Sequence, residues 1–433
     1  MRSKRATINY FSQVLLTGVT MVVGFVSTPF LLHWLGAERF GAVRVANELY
    51  GHLVLLELGL SGALPALFAR ALHKNDSEGI KQIVAAGIRA YTGVWIVMLL
   101  SGIVILVFIN KIIPVSPEYV TDLRIGCAIV IVGLYTITLS PFRLLTDARQ
   151  RAYRISLYIL VQSLVITAFS LVFAASGWGI KGQTLALFIG ASISPILLAR
   201  EGSKMFPGSF SLAIRGQVDR RTSREMWSLN KPTVVYDVCR RVSFFTDNIV
   251  IAWIMGPTFI VFFFVTQRLG QLAQVQLQGL GMATWAGMAE IYAHGENDLF
   301  NHRLIELTRI VATLSIAVLL PIAAYNRYFT AIWVGQGYYG GDLLTGVTCL
   351  NALLVAVIYL WGWCFTGTAQ INRLVPAVVI QTSISFILSI VLTWFYGVVG
   401  PPLAWLIGNV VIGVWLVPLQ LKRTFGVSLT QLA

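Results

Sequence analysis

The sequence predicts an all-α polytopic membrane protein of about twelve transmembrane helices, arranged as two six-helix lobes with both termini in the cytoplasm. Three observations carry that prediction. The 433 residues are 57% hydrophobic and only 12% charged, and the mean hydropathy is +0.76; soluble domains carry about 25% charged residues. Twelve apolar segments are long enough to cross a bilayer, which takes about 20 mostly apolar residues. Lys and Arg then fall overwhelmingly on one side of the resulting topology.

The predicted spans are 10–34, 40–66, 84–109, 122–145, 155–176, 180–199, 230–254, 257–282, 307–328, 343–366, 374–396 and 400–421. Turn residues separate them: Gly36 and Gly41, Pro114 and Pro117, Gly177 to Gly182, Gly256-Pro257, Gly335 to Gly341, and Gly400-Pro401-Pro402. Pro29, Pro195, Pro321 and Pro418 fall within or near helix ends and predict kinks. The basic start Met1-Arg2-Ser3-Lys4-Arg5 before an apolar run imitates a secretion signal. The run continues to Trp34 with no small-x-small cleavage site, so it reads as a retained first helix.

With the N-terminus inside, the inside segments hold 23 Lys and Arg and the outside segments 5. That asymmetry explains the net charge of +14 without invoking nucleic acid. Cys127, Cys239, Cys349 and Cys364 all lie in apolar segments without disulfide or metal-ligand spacing. No metal site and no cofactor is expected. No Walker loop, H-E-x-x-H, C-x-x-C or G-x-S-x-G occurs.

The longest inside loop, about Arg200–Lys231, divides the chain into 1–218 and 219–433. The halves repeat weakly. Trp178-Gly179 through Ala186 matches Tyr396-Gly397 through Ala404 at an offset of 218. Leu35-Gly36 matches Met255-Gly256, and Thr146 and Gln150 match Thr366 and Gln370, at 220. A nearly constant offset argues for a parallel repeat of six helices, with a cavity between the repeats.

Ionisable side chains in a span are candidates for that cavity, because each costs about 2.5–3.5 kcal/mol at the bilayer centre on insertion scales. Arg44, Glu48 and His52 are four apart and share one helix face. Glu57 lies on another side and, with His52, is a candidate coupling group. A blander account has Arg44 and Glu57 reaching the two headgroup regions while Arg44 pairs with Glu48. In the eighth span, Gln267, Gln271, Gln274 and Gln278 form a stripe about 60° wide. Such amides either bond neighbouring helices or offer a donor and acceptor ladder to sugar hydroxyls. Arg268 lies about 100° from the stripe. In the seventh span Asp237 can pair with Arg240 or Arg241, and Arg240 shares a face with Asp247. These are either an internal ion-pair set or anion contacts, since the guanidinium fork suits phosphate.

Several of these features together resemble a known family. They are Leu35-Gly36-Ala37-Glu38-Arg39-Phe40-Gly41, then Glu57-Leu58-Gly59-Leu60-Ser61-Gly62-Ala63, then Asp247-Asn248-Ile249-Val250-Ile251 before Met255-Gly256. Over essentially its whole length the chain resembles the O-antigen-type polysaccharide flippases of the multidrug/oligosaccharidyl-lipid/polysaccharide (MOP) exporter superfamily. The resemblance implies a MATE-like V of two six-helix lobes. It implies transfer of an undecaprenyl-diphosphate-linked oligosaccharide, an O-antigen or exopolysaccharide repeat unit, across the bacterial inner membrane by alternating access. Relatives have cationic lumens, and Arg44, Arg240, Arg241 and Arg268 are the arginines that could serve here. Expected partners are the lipid-linked glycan, membrane lipids, and polysaccharide polymerase or assembly proteins. Met255-Gly256-Pro257 departs from the usual L-G start and predicts a different exit from that helix.

Three other classes compete. A cation-coupled exporter of small drugs on the same fold should have an acidic, aromatic cavity, and the surplus of intramembrane arginine argues against it. A membrane glycan polymerase or ligase needs a large catalytic outside loop, and the outside loops here are short; no enzyme activity is expected. A twelve-helix symporter of another fold would keep its arginines away from the lumen.

Overall fold

A computed structural model describes residues 2–57, 60–215, 219, 226, 246–368 and 370–427. The chain divides into two compact units, Met1–Asp237 and Val238–Ala433. The boundary expected between residues 218 and 219 falls in the stretch 216–245, where only Asp219 and Met226 are described. All regular structure among the described residues is helical.

The first unit contains α1 (Arg2–Leu53), a 3₁₀ turn (Val54–Glu57), α2 (Leu60–His73), α3 (Ser77–Ile112), α4 (Val120–Gly133), a 3₁₀ run (Leu134–Leu139), α5 (Ser140–Ala148), α6 (Ala152–Ala175), α7 (Gly179–Met205) and α8 (Ser209–Arg215). Apolar side chains line the outside of its long helices, as a lipid solvent requires: Phe11, Val22 and Val26 of α1 and Leu100, Val104 and Val107 of α3 are exposed. Local signals set the ends. The Asp76 carboxylate caps α3 by accepting from the Gly79 amide at 2.8 Å. The predicted spans 10–34 and 40–66 join in α1, which runs through Pro29 and departs from helical dihedrals at Gly36 (φ 74°, ψ 169°). The second predicted span is shorter than expected as an α-helix. It tightens into the 3₁₀ turn at Val54–Glu57, and α2 resumes at Leu60.

The polar ends of the first unit are tied down by side chains. At one end of α1, Asn9 Oδ1 accepts from the Tyr153 amide at 2.9 Å and Gln13 Oε1 from Ser156 at 3.1 Å. Beyond Gly36, Glu38 accepts from the Ser116 hydroxyl at 2.9 Å, and the Arg39 guanidinium stacks on Tyr119. Asp122 pairs with Lys181 at 3.0 Å and accepts from the Ile180 amide at 2.9 Å, fixing the start of α7 to α4.

The second unit contains α9 (Asp247–Met255), α10 (Phe259–Ala293), α11 (Asn297–Trp333), α12 (Asp342–Gly367), α13 (Val375–Tyr396), α14 (Gly400–Gly408), a π turn (Asn409–Gly413) and α15 (Val414–Phe425). Its core is a column that includes Phe300, Leu304, Val311, Ala352, Ala356, Leu360, Phe365 and Leu421. Tyr292, Phe300, Phe365 and Phe425 close one end, with Phe425 edge-on to Tyr292 and Phe365 at 5.3 and 5.1 Å. Gly426 (φ 80°) then terminates α15, behind Lys422 and Arg423 in the last turn.

One correspondence read from the sequence has a similar backbone break in each unit. Gly256 (φ 98°, ψ 159°) adopts nearly the conformation of Gly36, 220 residues earlier. The exit nevertheless differs, as Pro257 predicts. α9 stops at Met255 and α10 restarts at Phe259, because Pro257 has no N–H to carry the ladder across. Gly182 and Gly400, 218 residues apart, both sit where a β-carbon would collide. At Gly182 it would stand 2.6 Å from the Trp178 β-carbon, and at Gly400 2.3 Å from the Thr393 backbone nitrogen. Backbone cannot yield as a side chain does. Gly400→Ala is therefore expected to destabilise the protein by about 1–3 kcal/mol, read as a lower thermal unfolding midpoint of the purified protein; an unchanged midpoint would refute the α13–α14 contact.

Candidate functional site

In the first unit the polar face of the second predicted span lies on the half of α1 beyond Gly36. Helical geometry from Gly36 to Leu53 keeps Arg44, Glu48 and His52 on one face. Arg44 is half-buried, with its guanidinium 5.2 Å from the centre of the Phe40 ring. Glu48 and His52 are also half-buried. The His52 Nδ1–H donates to the Glu48 carbonyl at 2.9 Å, which fixes the proton on Nδ1 for the neutral ring. Glu57 ends the 3₁₀ turn, and its carboxylate accepts from the hydroxyl of Tyr91, a fully buried residue of α3. Glu57 is thus joined to α3.

In the second unit the glutamine stripe lies on α10. Gln267 is buried, and its Oε1 accepts from Gln271 Nε2 at 2.8 Å. Gln271 is exposed; Gln274 and Gln278 are half-buried. The stripe continues seven residues on to Trp285, which stacks on Trp363 of α12 with ring centroids 6.1 Å apart. Arg268 is half-buried, with its guanidinium 5.5 Å from the centre of the Phe264 ring. Asp247 opens α9, where a carboxylate suits the helix N-terminus. It accepts from the Trp405 indole of α14 at 3.0 Å, a partner that sequence spacing did not suggest. Asp237, Arg240 and Arg241 lie outside the described residues, so the expected Arg240–Asp247 face is not described.

Sequence reading missed a second polar set in this unit. Gln381 of α13 donates to Asn409 Oδ1 at 2.7 Å. Asn409 donates to Asn351 Oδ1 of α12 at 3.0 Å, and Asn351 donates to the Pro402 carbonyl of α14 at 2.6 Å. This amide chain binds three helices where apolar packing alone offers little direction. It also meets the π turn at Asn409–Gly413, a distortion often found at functional positions. The available signal was a single amide on each of three apolar helices.

Taken together, long apolar helices in two units, each with ionisable and amide side chains within its spans, define a polytopic membrane protein. An inward-facing multidrug resistance MATE family transporter of the MOP superfamily matches with a TM-score of 0.77 and 15% identity, over 96% of this chain and 98% of that one. The lipid II flippase MurJ, in an inward closed conformation, matches with a TM-score of 0.75 and 14% identity, over 94% of this chain and 87% of that one. Likeness at these identities is one of fold, and the fold is the one the sequence predicts. The chain belongs to the polysaccharide biosynthesis protein family, whose model matches residues 7–286. A similar relative is the membrane protein EpsK of Bacillus subtilis (strain 168), 22% identical over 442 residues, covering 97% of this chain and 84% of EpsK.

Proposed function

We propose that the protein is a flippase that carries an undecaprenyl-diphosphate-linked oligosaccharide, an O-antigen or exopolysaccharide repeat unit, across a bacterial inner membrane by alternating access, both termini being cytoplasmic. The observation that carries this reading is the pair Arg44 and Arg268. Each lies within an apolar span and is half-buried against an aromatic ring. Cations at such depth suit a dianionic headgroup, because they lower the cost of moving it through a low-dielectric layer. Gln267, Gln271, Gln274 and Gln278, with Trp285 beyond them, offer amides and a ring face to sugars. The prenyl chain stays in lipid. The path is a cationic cavity in this reading, with Glu48, His52 and Asp247 as further lining candidates and His52 or Glu57 as coupling candidates. Domains follow the two six-helix lobes, and the protein breaks no covalent bond. Polymerase and assembly proteins would take up the delivered glycan.

Deleting the gene in its host tests the reading. Lipid-linked oligosaccharide is expected to accumulate in the inner leaflet, protected from a glycan-oxidising reagent added outside the spheroplast, and surface polysaccharide is expected to disappear. Accumulation in the outer leaflet would overturn the assignment in favour of a later polymerisation step. Normal surface glycan with increased sensitivity to cationic drugs would overturn it in favour of drug export.

A further inference from the structure

Two tryptophans of the second unit are seated reciprocally. Trp285 of α10 stacks on Trp363 of α12, with ring centroids 6.1 Å apart and planes 26° from parallel. Each indole occupies room that a glycine on the other helix leaves. A β-carbon at Gly281 of α10 would stand 3.2 Å from Trp363 Cδ1, and one at Gly367 of α12 would stand 3.1 Å from Trp285 Cε3. Both distances are closer than ordinary van der Waals contact. Aromatic side chains at the end of a span ordinarily serve as interface anchors, and Trp285 lies one turn past the predicted end of its span at residue 282. An anchor needs only a ring at headgroup depth. It needs neither a second indole nor a glycine opposite each. The arrangement here holds two rings together, yet leaves Trp285 36% exposed.

Gln278 belongs to the same side of α10: Gln278, Gly281 and Trp285 fall within about 60° around the helix axis. Its Nε2 is buried with no hydrogen-bond partner. A buried amide donor left unpaired bears its full desolvation cost, so an acceptor that reaches it is bound favourably. The residue as a whole is only half-buried, and a turn about the soft terminal torsion brings that nitrogen to the surface. An aromatic ring and an amide on one helix face complement a pyranose. The sugar's C–H groups carry slight positive charge and suit the negative face of an indole, and its hydroxyls accept from an amide. We propose that Trp285, Trp363 and Gln278 form a sugar subsite within the second unit, where a neutral pyranose of the glycan stacks on the open surface of Trp285 and accepts a hydrogen bond from Gln278. This rests on the flippase reading above and adds to it a contact to the glycan, distinct from any to the diphosphate.

The test compares the binding of two lipids to the purified full-length protein. One is the lipid-linked oligosaccharide extracted from the strain lacking the gene; the other is undecaprenyl diphosphate with no sugar. The wild type should bind the glycan-bearing lipid more tightly. W285A is expected to weaken that binding on the order of tenfold, the scale of one ring-stacking contact, and to leave binding of the bare lipid unchanged. W285F keeps a ring and should retain most of the affinity. Q278A leaves the indole pair intact and should weaken only the glycan-bearing lipid, by about three- to tenfold. The bare lipid thus reports whether each variant is folded. Wild-type affinity of W285A and Q278A for the glycan-bearing lipid would overturn the proposal, as would equal affinity of the wild type for the two lipids; neither outcome touches the flippase reading. If W285A loses both lipids, Q278A decides: selective loss supports the subsite, and no loss makes the indole pair a packing anchor only. Failure of the wild type to bind either lipid would remove the flippase reading and this proposal with it.

Discussion

Arg268→Ala is expected to reduce glycan export roughly 10- to 100-fold while the amount of folded protein in the membrane stays the same or rises. The two halves of that expectation have separate causes. A hydrogen bond to a charged group contributes about 1.5–3 kcal/mol, and a bidentate contact to phosphate is at the strong end. Losing it slows transport by the factor stated, since about 1.4 kcal/mol is tenfold. The same side chain is a liability for insertion, because an arginine at the bilayer centre costs about 2.5–3.5 kcal/mol. Alanine removes that cost. A residue kept only for structure would show the reverse pattern: less folded protein, and normal export per molecule. Arg268→Lys keeps the charge and loses the fork, so its export should fall between alanine and wild type. Arg44→Ala is expected to follow the same pattern. Full export by both alanine variants at normal protein levels would eliminate the cationic path.

Much of this arrangement is legible in the chain because its signals are local. Leu35-Gly36 and Met255-Gly256 announce the same backbone break, and Pro257 announces that the second break is complete. Four glutamines at helical spacing announce a stripe, and the Gln267–Gln271 bond follows from their being one turn apart. Helix lengths are less legible. The ninth span reads as 307–328, whereas α11 runs Asn297–Trp333. Hydropathy sees only the stretch that lipid covers, and the helix continues past it on ordinary propensity and capping. What sequence could not show are contacts between helices distant in the chain. Asn351, Asn409 and Gln381 are single amides on apolar helices, 58 and 28 residues apart from their partners. No period links them, so only the packing of α12, α13 and the π turn reveals one network. The same holds for Glu57 and Tyr91, which are 34 residues apart.

Gly36→Ala and Gly256→Ala are each expected to lower the thermal unfolding midpoint by several degrees, and their effect separates backbone strain from packing. Both glycines have positive φ with ψ near 160–170°, a region essentially reserved for glycine, which costs other residues of order 1–3 kcal/mol. A β-carbon at either position would meet nothing within 4 Å. The entire penalty is therefore conformational, with no clash to relieve by repacking. Matched controls lie on helices α1 and α10. Gly18 in α1 and Gly287 in α10 also have open space where a methyl group would stand, but their backbones are helical. There alanine should be neutral or stabilising by up to about 1 kcal/mol. Opposite signs for Gly36→Ala and Gly18→Ala, with equal added volume in open space, leave the dihedral angle as the cause. Function should suffer with stability. The break at Gly36 sets the direction of the helix that presents Arg44 two turns later, and the break at Gly256 does the same for Arg268 three turns later. A side chain that straightened either break would redirect the helix that carries the arginine. Gly256→Ala should then lose export even at a temperature where the protein remains folded. If Gly36→Ala and Gly256→Ala match their controls in both midpoint and export, the two breaks are not part of the working structure.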